Sequence, residues 1–284
     1  MAPPKSSYSK VATLSTEEKE QNLRRLMRDL KSVLVAYSGG VDSSYVALIA
    51  TQELGEKAIC AMGISPSVSQ NQFQQAEQIA KDFKFNYLSI NTEELENPNY
   101  QANPTNRCYF CKSELYGRLT PLAKENKCEV ILDGSNLDDT GDFRPGRQAA
   151  QEKGVRSPLI EVELSKAEIR ELSKKHGLPT WDQPSSPCLS SRIAYGIPVS
   201  IERLSKVERG EDFLRQLGLK EFRVRNHGEL VRLEIAPTEF EKILSKEITD
   251  LMAEKFRSLG FKYVTLDLHG YRSGAMNEVL KSKK

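Results

Sequence analysis

Val33-Leu34-Val35-Ala36-Tyr37-Ser38-Gly39-Gly40-Val41-Asp42-Ser43-Ser44-Tyr45-Val46-Ala47-Leu48-Ile49 decides the fold. Val33 to Ala36 has the length and apolarity of a buried strand, and the run after the glycines has those of a helix beginning near Ser43. A tight glycine turn between them aims several backbone N–H groups at one point before the helix N-terminus, where an anion is stabilised. Gly39 and Gly40 permit positive φ and close backbone approach, and the hydroxyls of Ser38, Ser43 and Ser44 add donors. These features describe a phosphate cradle. Asp42 is its odd member: a carboxylate beside phosphates repels them unless a divalent cation lies between, which points to Mg2+.

The stretch is neither a Walker A loop nor the dinucleotide pattern Gly-x-Gly-x-x-Gly. Ser38 to Ser44 resembles the PP-loop of the ATP pyrophosphatases, a group that includes GMP synthetase, NAD synthetase and tRNA thiolases and cleaves ATP between its α and β phosphates. The alternative, an ordinary Gly-Gly turn with polar neighbours, does not account for all seven residues in a strand-turn-helix setting.

Outward from the cradle, 284 residues suffice for two domains with cores of their own. With 38% hydrophobic and 28% charged residues the composition is that of a globular protein. No apolar stretch approaches the ~20 residues of a membrane span, and Met1 to Ser7 lacks the apolar core of a signal peptide. A cytoplasmic location is expected. Forty-one basic against 39 acidic residues leave a net charge of +2, which does not call for nucleic acid as a partner.

Residues 1–14 read as a tail. Ser15 and Glu18 form a capping-box pattern ahead of Leu23, Leu26, Met27 and Leu30 at helical spacing. Strands near Val33, Ala58, Tyr87 and Val130 then alternate with helices near Ser43, from Ser69 to Phe83, after Cys111, and after a second capping pair, Ser165 and Glu168. This alternation predicts an α/β fold, a parallel sheet with flanking helices and ligands at the carboxyl ends of its strands. Trp181 to Cys188, with two prolines, reads as a loop and hinge. Beyond it a helix over 201–217, strands at 221–225 and 229–235, a helix over 237–256 and a strand at 263–268 predict a smaller C-terminal α+β domain. The expected division is 15–187 and 188–284.

Five cysteines without an export signal argue against structural disulfides. Cys60 and Cys128 adjoin apolar strands and read as packing residues. Cys108-Tyr-Phe-Cys111 is a C-x-x-C, open to a redox pair, half of a zinc site, or one side of an iron-sulfur cluster. With Cys188, three cysteines on loops fit a [4Fe-4S] cluster with one iron lacking a protein ligand. Zinc would want a fourth ligand. His176 is the histidine nearest Cys188 in sequence, at a helix C-terminus where it also suits a capping role. Cys188 beside Arg192 also reads as a nucleophile.

Longer segments carry a closer resemblance: Gly134-Ser-Asn-Leu-Asp-Asp139, Gly-Asp-Phe-Arg144-Pro-Gly146, Lys166-Ala-Glu-Ile-Arg170, Pro184-Ser-Ser-Pro-Cys188-Leu-Ser-Ser-Arg192 and Phe222-Arg223-Val-Arg225. In this order they resemble the LarE family of ATP-dependent sulfur transferases, from about residue 15 to 280. The resemblance implies an adenine nucleotide alpha hydrolase-like fold, ATP and Mg2+ as reactants, and an assembly of trimers or hexamers. It also implies sulfur insertion into pyridinium-3,5-biscarboxylic acid mononucleotide, through an adenylated carboxylate, in making a nickel-pincer nucleotide. Carried over residue by residue, it makes Ala36, Ser38, Gly39, Gly40, Val41, Asp42, Ser43, Ser44, Met62 and Gly134 the ATP site, with Asp42 on magnesium. Arg144, Arg192, Glu211, Arg223, Arg225 and Arg272 become substrate ligands and Cys188 the catalytic sulfur. Cys108 and Cys111 depart from the branch in which a single cysteine gives up its sulfur, and resemble the branch in which three hold a [4Fe-4S] cluster.

Residue chemistry agrees. A carboxylate is a poor electrophile until AMP becomes its leaving group, and a carboxylated mononucleotide needs guanidinium forks. Arg223 and Arg225, two apart on a strand, share a face; the alternative is a solvated strand face. Glu211, Arg272 and Asp139 have surface or capping roles as their alternative. The rival functions are a tRNA thiolase, an ammonia-using ligase of the NAD or GMP synthetase kind, and a module that binds ATP without cleaving it.

Overall fold

The computed structural model describes residues 14–141, 145–184, 187–272 and 274–277. Helix α1 (Thr16–Leu30) opens on the expected capping box, the Glu18 amide donating to Ser15 Oγ at 3.2 Å while Glu18 accepts from the Ser15 amide at 2.7 Å. Strand β1 (Val33–Ala36) is buried throughout and leads to α2 (Val41–Leu54). The helix begins two residues before Ser43 because Gly40 already serves as its N-cap. Then follow β2 (Ala58–Ile64), α3 (Gln70–Asp82), β3 (Asn86–Asn91), α4 (Pro98–Gln101), α5 (Arg107–Glu125) and β4 (Val130–Leu132). Helices α6 (Pro145–Glu152), α7 (Pro158–Glu161) and α8 (Lys166–Lys175) complete this half.

The four strands form one parallel sheet in the order β3-β2-β1-β4. Its period of two sends Val33 and Val35 into a core with Leu23, Tyr45, Ile49 and Leu172, and Leu34 and Ala36 into another with Tyr116, Leu119 and Ile131. Each fully buried leucine or isoleucine contributes about 1.5–3 kcal/mol over exposure. The central strand β1 is thereby held from both faces, and its carboxyl end is where the glycines begin. Cys60 is fully buried in the first core and Cys128 packs against the second, as their apolar settings predict.

A second sheet, β5-β6-β7, has its own core around Leu204, Val207, Val224, Leu233 and Phe256. It contains α9 (Ile201–Gln216), β5 (Phe222–His227), β6 (Leu230–Ile235), α10 (Lys246–Ser258) and β7 (Tyr263–Leu266). Strands β5 and β6 pair antiparallel across Gly228 at φ +81°, and α10 provides the crossover to a parallel β7. One expectation fails in detail: the helix read over 237–256 is a short turn at Pro237–Lys242 followed by α10, because Ser245 accepts the Ile248 amide at 3.3 Å and starts a new helix. Tyr100, Leu189 and Ile193 belong to this second core, so both the segment just after Cys188 and a residue of α4 are anchored in it.

Candidate functional site

At the end of β1, Gly39 takes φ +74°, and a Cβ there would stand 2.7 Å from Ala76 Cβ on α3. Only glycine satisfies both conditions. Gly40 caps α2 without a side chain to offer, so no cap competes with a ligand for the first-turn amides. Ser43 Oγ accepts from the Ser38 amide at 3.2 Å, lies 3.0 Å from Ser38 Oγ and donates to the Gly40 carbonyl at 3.1 Å, which fixes the turn. Val41 and Ser44 are buried in α2. Ala36 and Met62 are buried near the carboxyl ends of β1 and β2. Gly134, just past β4, lies so close that a Cβ would be 2.8 Å from the Ser43 amide nitrogen.

Asp42 is held by two residues: Asn136 Nδ2 donates to one carboxylate oxygen at 3.3 Å, and Lys166 Nζ pairs with the other. A single carboxylate beside a phosphate cradle suits Mg2+, which takes one or two carboxylates together with phosphate oxygens. Asp139 Oδ2 accepts the Asn136 amide at 3.1 Å, so Asp139 shapes the loop that carries Asn136.

The cysteines are placed differently from expectation. Cys108 and Cys111 lie in the first turns of α5, which begins at Arg107, and only Cys188 is on a loop, as the N-cap of a short turn Leu189–Arg192. Several bonds join helix to loop. Arg107 Nη1 donates to Ser190 O at 2.9 Å and to Asn103 Oδ1, and Asn103 Nδ2 donates to the Ala194 and Ile197 carbonyls at 2.9 Å. The Tyr100 hydroxyl lies 2.7 Å from Ser67 Oγ and 2.5 Å from Ser190 Oγ.

Burial pushes the Cys111 and Cys108 thiols up, and the nearby Cys188 sulfur pushes both further; Arg107 and Lys112 pull Cys108 the other way. All three sulfurs therefore lie within electrostatic reach of one another. Among the described residues no three His, Cys, Asp or Glu side chains converge as a single metal ion requires. His176 is not with the cysteines: it caps α8, its Nε2 3.0 Å from Glu20.

Behind the cysteine loop lie three buried arginines. Arg192 Nε pairs with Glu211 at 2.9 Å and its Nη1 donates to the Cys188 carbonyl at 3.2 Å. Arg225 pairs with Glu234 at 2.8 Å and donates to the Ser191 carbonyl at 3.1 Å. Arg223 stacks its guanidinium 4.8 Å from the Tyr271 ring centre and donates to Phe222 O at 2.6 Å. Burial and the charges of Arg192 and Arg225 hold Arg223 below the usual arginine range. Arg272 reaches Asp267 at 3.4 Å. Arg144 lies outside the described residues.

A family model described as NAD synthase matches residues 17–126, a stretch that includes the cradle. An uncharacterized protein of Synechocystis, slr1717, is 45% identical over 93% of this chain and 98% of its own length. The pyridinium-3,5-bisthiocarboxylic acid mononucleotide synthase of Lactiplantibacillus plantarum is 34% identical over 95% of this chain and 97% of its own. The chain belongs to the LarE family. A GMP synthase of Clostridium tetani is 26% identical over 72% of the chain, in keeping with a cradle shared more widely than the rest.

As a LarE protein it is an ATP-dependent sulfurtransferase. Around its cysteines stand residues that the motifs did not single out as functional: Arg107, Asn103, Tyr100, Ser67 and Ser190, with Lys166 at Asp42. Asn103, a non-glycine residue at φ +53° whose side chain serves several carbonyls, is a buried anchor that a sequence pattern does not announce.

Proposed function

We propose that this LarE protein adenylates a carboxylate of pyridinium-3,5-biscarboxylic acid mononucleotide and exchanges one of its oxygens for sulfur, in nickel-pincer nucleotide biosynthesis. The observation that carries this reading is the joining of sulfur and guanidinium groups in one fragment: Arg192 and Arg225 hold the carbonyls of Cys188 and Ser191. A substrate anion bound near these arginines would present its carboxyl group to the sulfur site.

In the first step the substrate carboxylate attacks the α-phosphorus of ATP, and the α–β bond breaks to release pyrophosphate. The amides of the Gly39-Gly40 turn and the Ser38 and Ser43 hydroxyls bind the departing phosphates, and Ala36, Met62 and Gly134 border the nucleotide. Asp42 would hold Mg2+, which would offset their charge. In the second step sulfur attacks the activated carbonyl, AMP leaves, and a thiocarboxylate remains. A [4Fe-4S] cluster held by Cys108, Cys111 and Cys188 would supply that sulfur from an iron free of protein ligands. Arg223, Arg225 and Arg272 are assigned to the substrate's anionic groups, with Arg192 and Glu211 keeping the Cys188 loop in place.

The test is turnover of the triple variant C108A/C111A/C188A with ATP and the dicarboxylated mononucleotide. Pyrophosphate release without thiocarboxylate is expected; retained sulfur insertion would refute the assignment, and an amide formed from ammonia would mark a ligase instead. The cytoplasmic location and the trimer or hexamer belong to the same proposal, and light scattering on the purified chain measures the assembly.

A further inference from the structure

The stretch from Ser67 to Gln72 follows the carboxyl end of β2 and touches both halves of the proposed reaction. At one end Ser67 is buried: its carbonyl accepts the Leu189 amide at 2.8 Å, and its hydroxyl lies 2.7 Å from the Tyr100 hydroxyl and 3.2 Å from Ser190 Oγ. Leu189 directly follows Cys188. At the other end Gln72 Nε2 donates to the Ser38 carbonyl at 3.1 Å. One turn further along α3, Ala76 abuts Gly39, and its carbonyl accepts the Tyr37 hydroxyl at 3.0 Å. Between the two ends Ser69 caps α3 by accepting the Gln72 amide at 3.2 Å, and Glu208 of α9 accepts the Gln70 amide at 2.7 Å. A short path whose second half is the capped first turn of a helix therefore joins the cradle to the Cys188 loop.

In a trans peptide the carbonyl and the following N–H point in opposite directions, so turning the Ser38 carbonyl to α3 turns the Gly39 amide away from it. That amide is one of the donors assigned to phosphate. A nucleotide in the cradle and Gln72 would then grip the same peptide from its two sides. We propose that Ser67–Gln72 is a strap through which bound nucleotide steadies the Cys188 loop, with Gln72 as its positioning residue. The inference deepens the sulfur-transfer reading and rests on it for its use. An acyl adenylate is open to hydrolysis, and a Cys188 loop held in place while nucleotide is bound keeps sulfur ready ahead of water. Linkage makes the effect reciprocal: fixing the loop strengthens nucleotide binding by the same factor.

Hydrogen exchange read by mass spectrometry tests the strap, with and without Mg2+ and α,β-methylene-ATP, an analogue whose α–β link cannot be cleaved. Protection of residues 38–44 reports nucleotide binding, and in the unaltered chain the amides of residues 189–193 slow with it by about tenfold. Q72M keeps the length of the side chain but has no donor. In that variant the analogue still protects 38–44 and leaves 189–193 unchanged. Loosening of the fold would speed exchange with or without nucleotide, so it cannot imitate a response kept at one stretch and lost at the other. Protection of 38–44 alone in the unaltered chain, or a full response in Q72M, would overturn the strap. The first of these needs no variant and decides even if Q72M does not fold. Protection of neither stretch would overturn the strap together with the ATP reading of the cradle. Failure to form thiocarboxylate would instead count against sulfur transfer, while the exchange rates judge the strap.

Discussion

The cradle and the sulfur site are built in opposite ways. The cradle is one contiguous stretch at the end of a strand held from both faces, and its turn is fixed by hydrogen bonds spanning at most five residues. The sulfur site joins α4 and α5 to a loop more than 75 residues away through bonds such as Arg107 to Ser190 and Tyr100 to Ser190. A local device can be shared by several chemistries, as the matches to NAD synthase and GMP synthase illustrate. A long-range one commits the fold to a particular use.

If the two regions serve separate half-reactions, they can be broken separately. The largest effect is expected from C188A, which reduces thiocarboxylate formation to background while pyrophosphate release stays within a few-fold of the unaltered chain, measured in one assay mixture. Gly39→Ala does the reverse: its Cβ meets Ala76 and its φ costs about 1–2 kcal/mol, so pyrophosphate release falls by about 100-fold. Parallel losses of both activities in both variants would erase the distinction.

Arg192→Met tests the seam between them. It leaves Glu211 buried with the 3.7 Å contact to Arg215 and the Val224 amide at 3.4 Å, at a cost of about 3–5 kcal/mol seen in urea unfolding, and it frees the Cys188 carbonyl. The smallest effect belongs to the packing of α1 on α8, remote from the chemistry. Burial opposes ionisation of Glu20, but Arg24 and His176 outweigh it and hold its carboxyl below the usual range. A lowered folded pKa stabilises above the unfolded value and is lost as pH falls through the folded one. Glu20→Gln is therefore expected to cost about 1 kcal/mol at pH 7, and progressively less as pH falls through the folded pKa, with both half-reactions intact.

Legibility in the sequence followed the same division. Val33 to Ala36, the Ser15 and Ser165 caps and the strand-helix alternation were readable because local period and capping chemistry determine them. The missed breaks were local too: Ser245 restarts a helix, and α5 begins at Arg107, whose N-cap Asn106 makes no side-chain cap hydrogen bond. Motif resemblance named Cys188, Arg192 and Arg225, but not that the two arginines are bound to Glu211 and Glu234. Nor could spacing reveal Asn103 or Arg107, whose roles exist only once residues 100–111 meet residues 188–197.

The most direct test of the account is a single-turnover anaerobic reaction containing the chain reconstituted beforehand with iron and sulfide and freed of excess, ATP, Mg2+ and pyridinium-3,5-biscarboxylic acid mononucleotide, analysed for pyrophosphate and for product mass. The account predicts pyrophosphate and a thiocarboxylate from the unaltered chain, and pyrophosphate alone from C108A/C111A/C188A. Thiocarboxylate from the triple variant would contradict it.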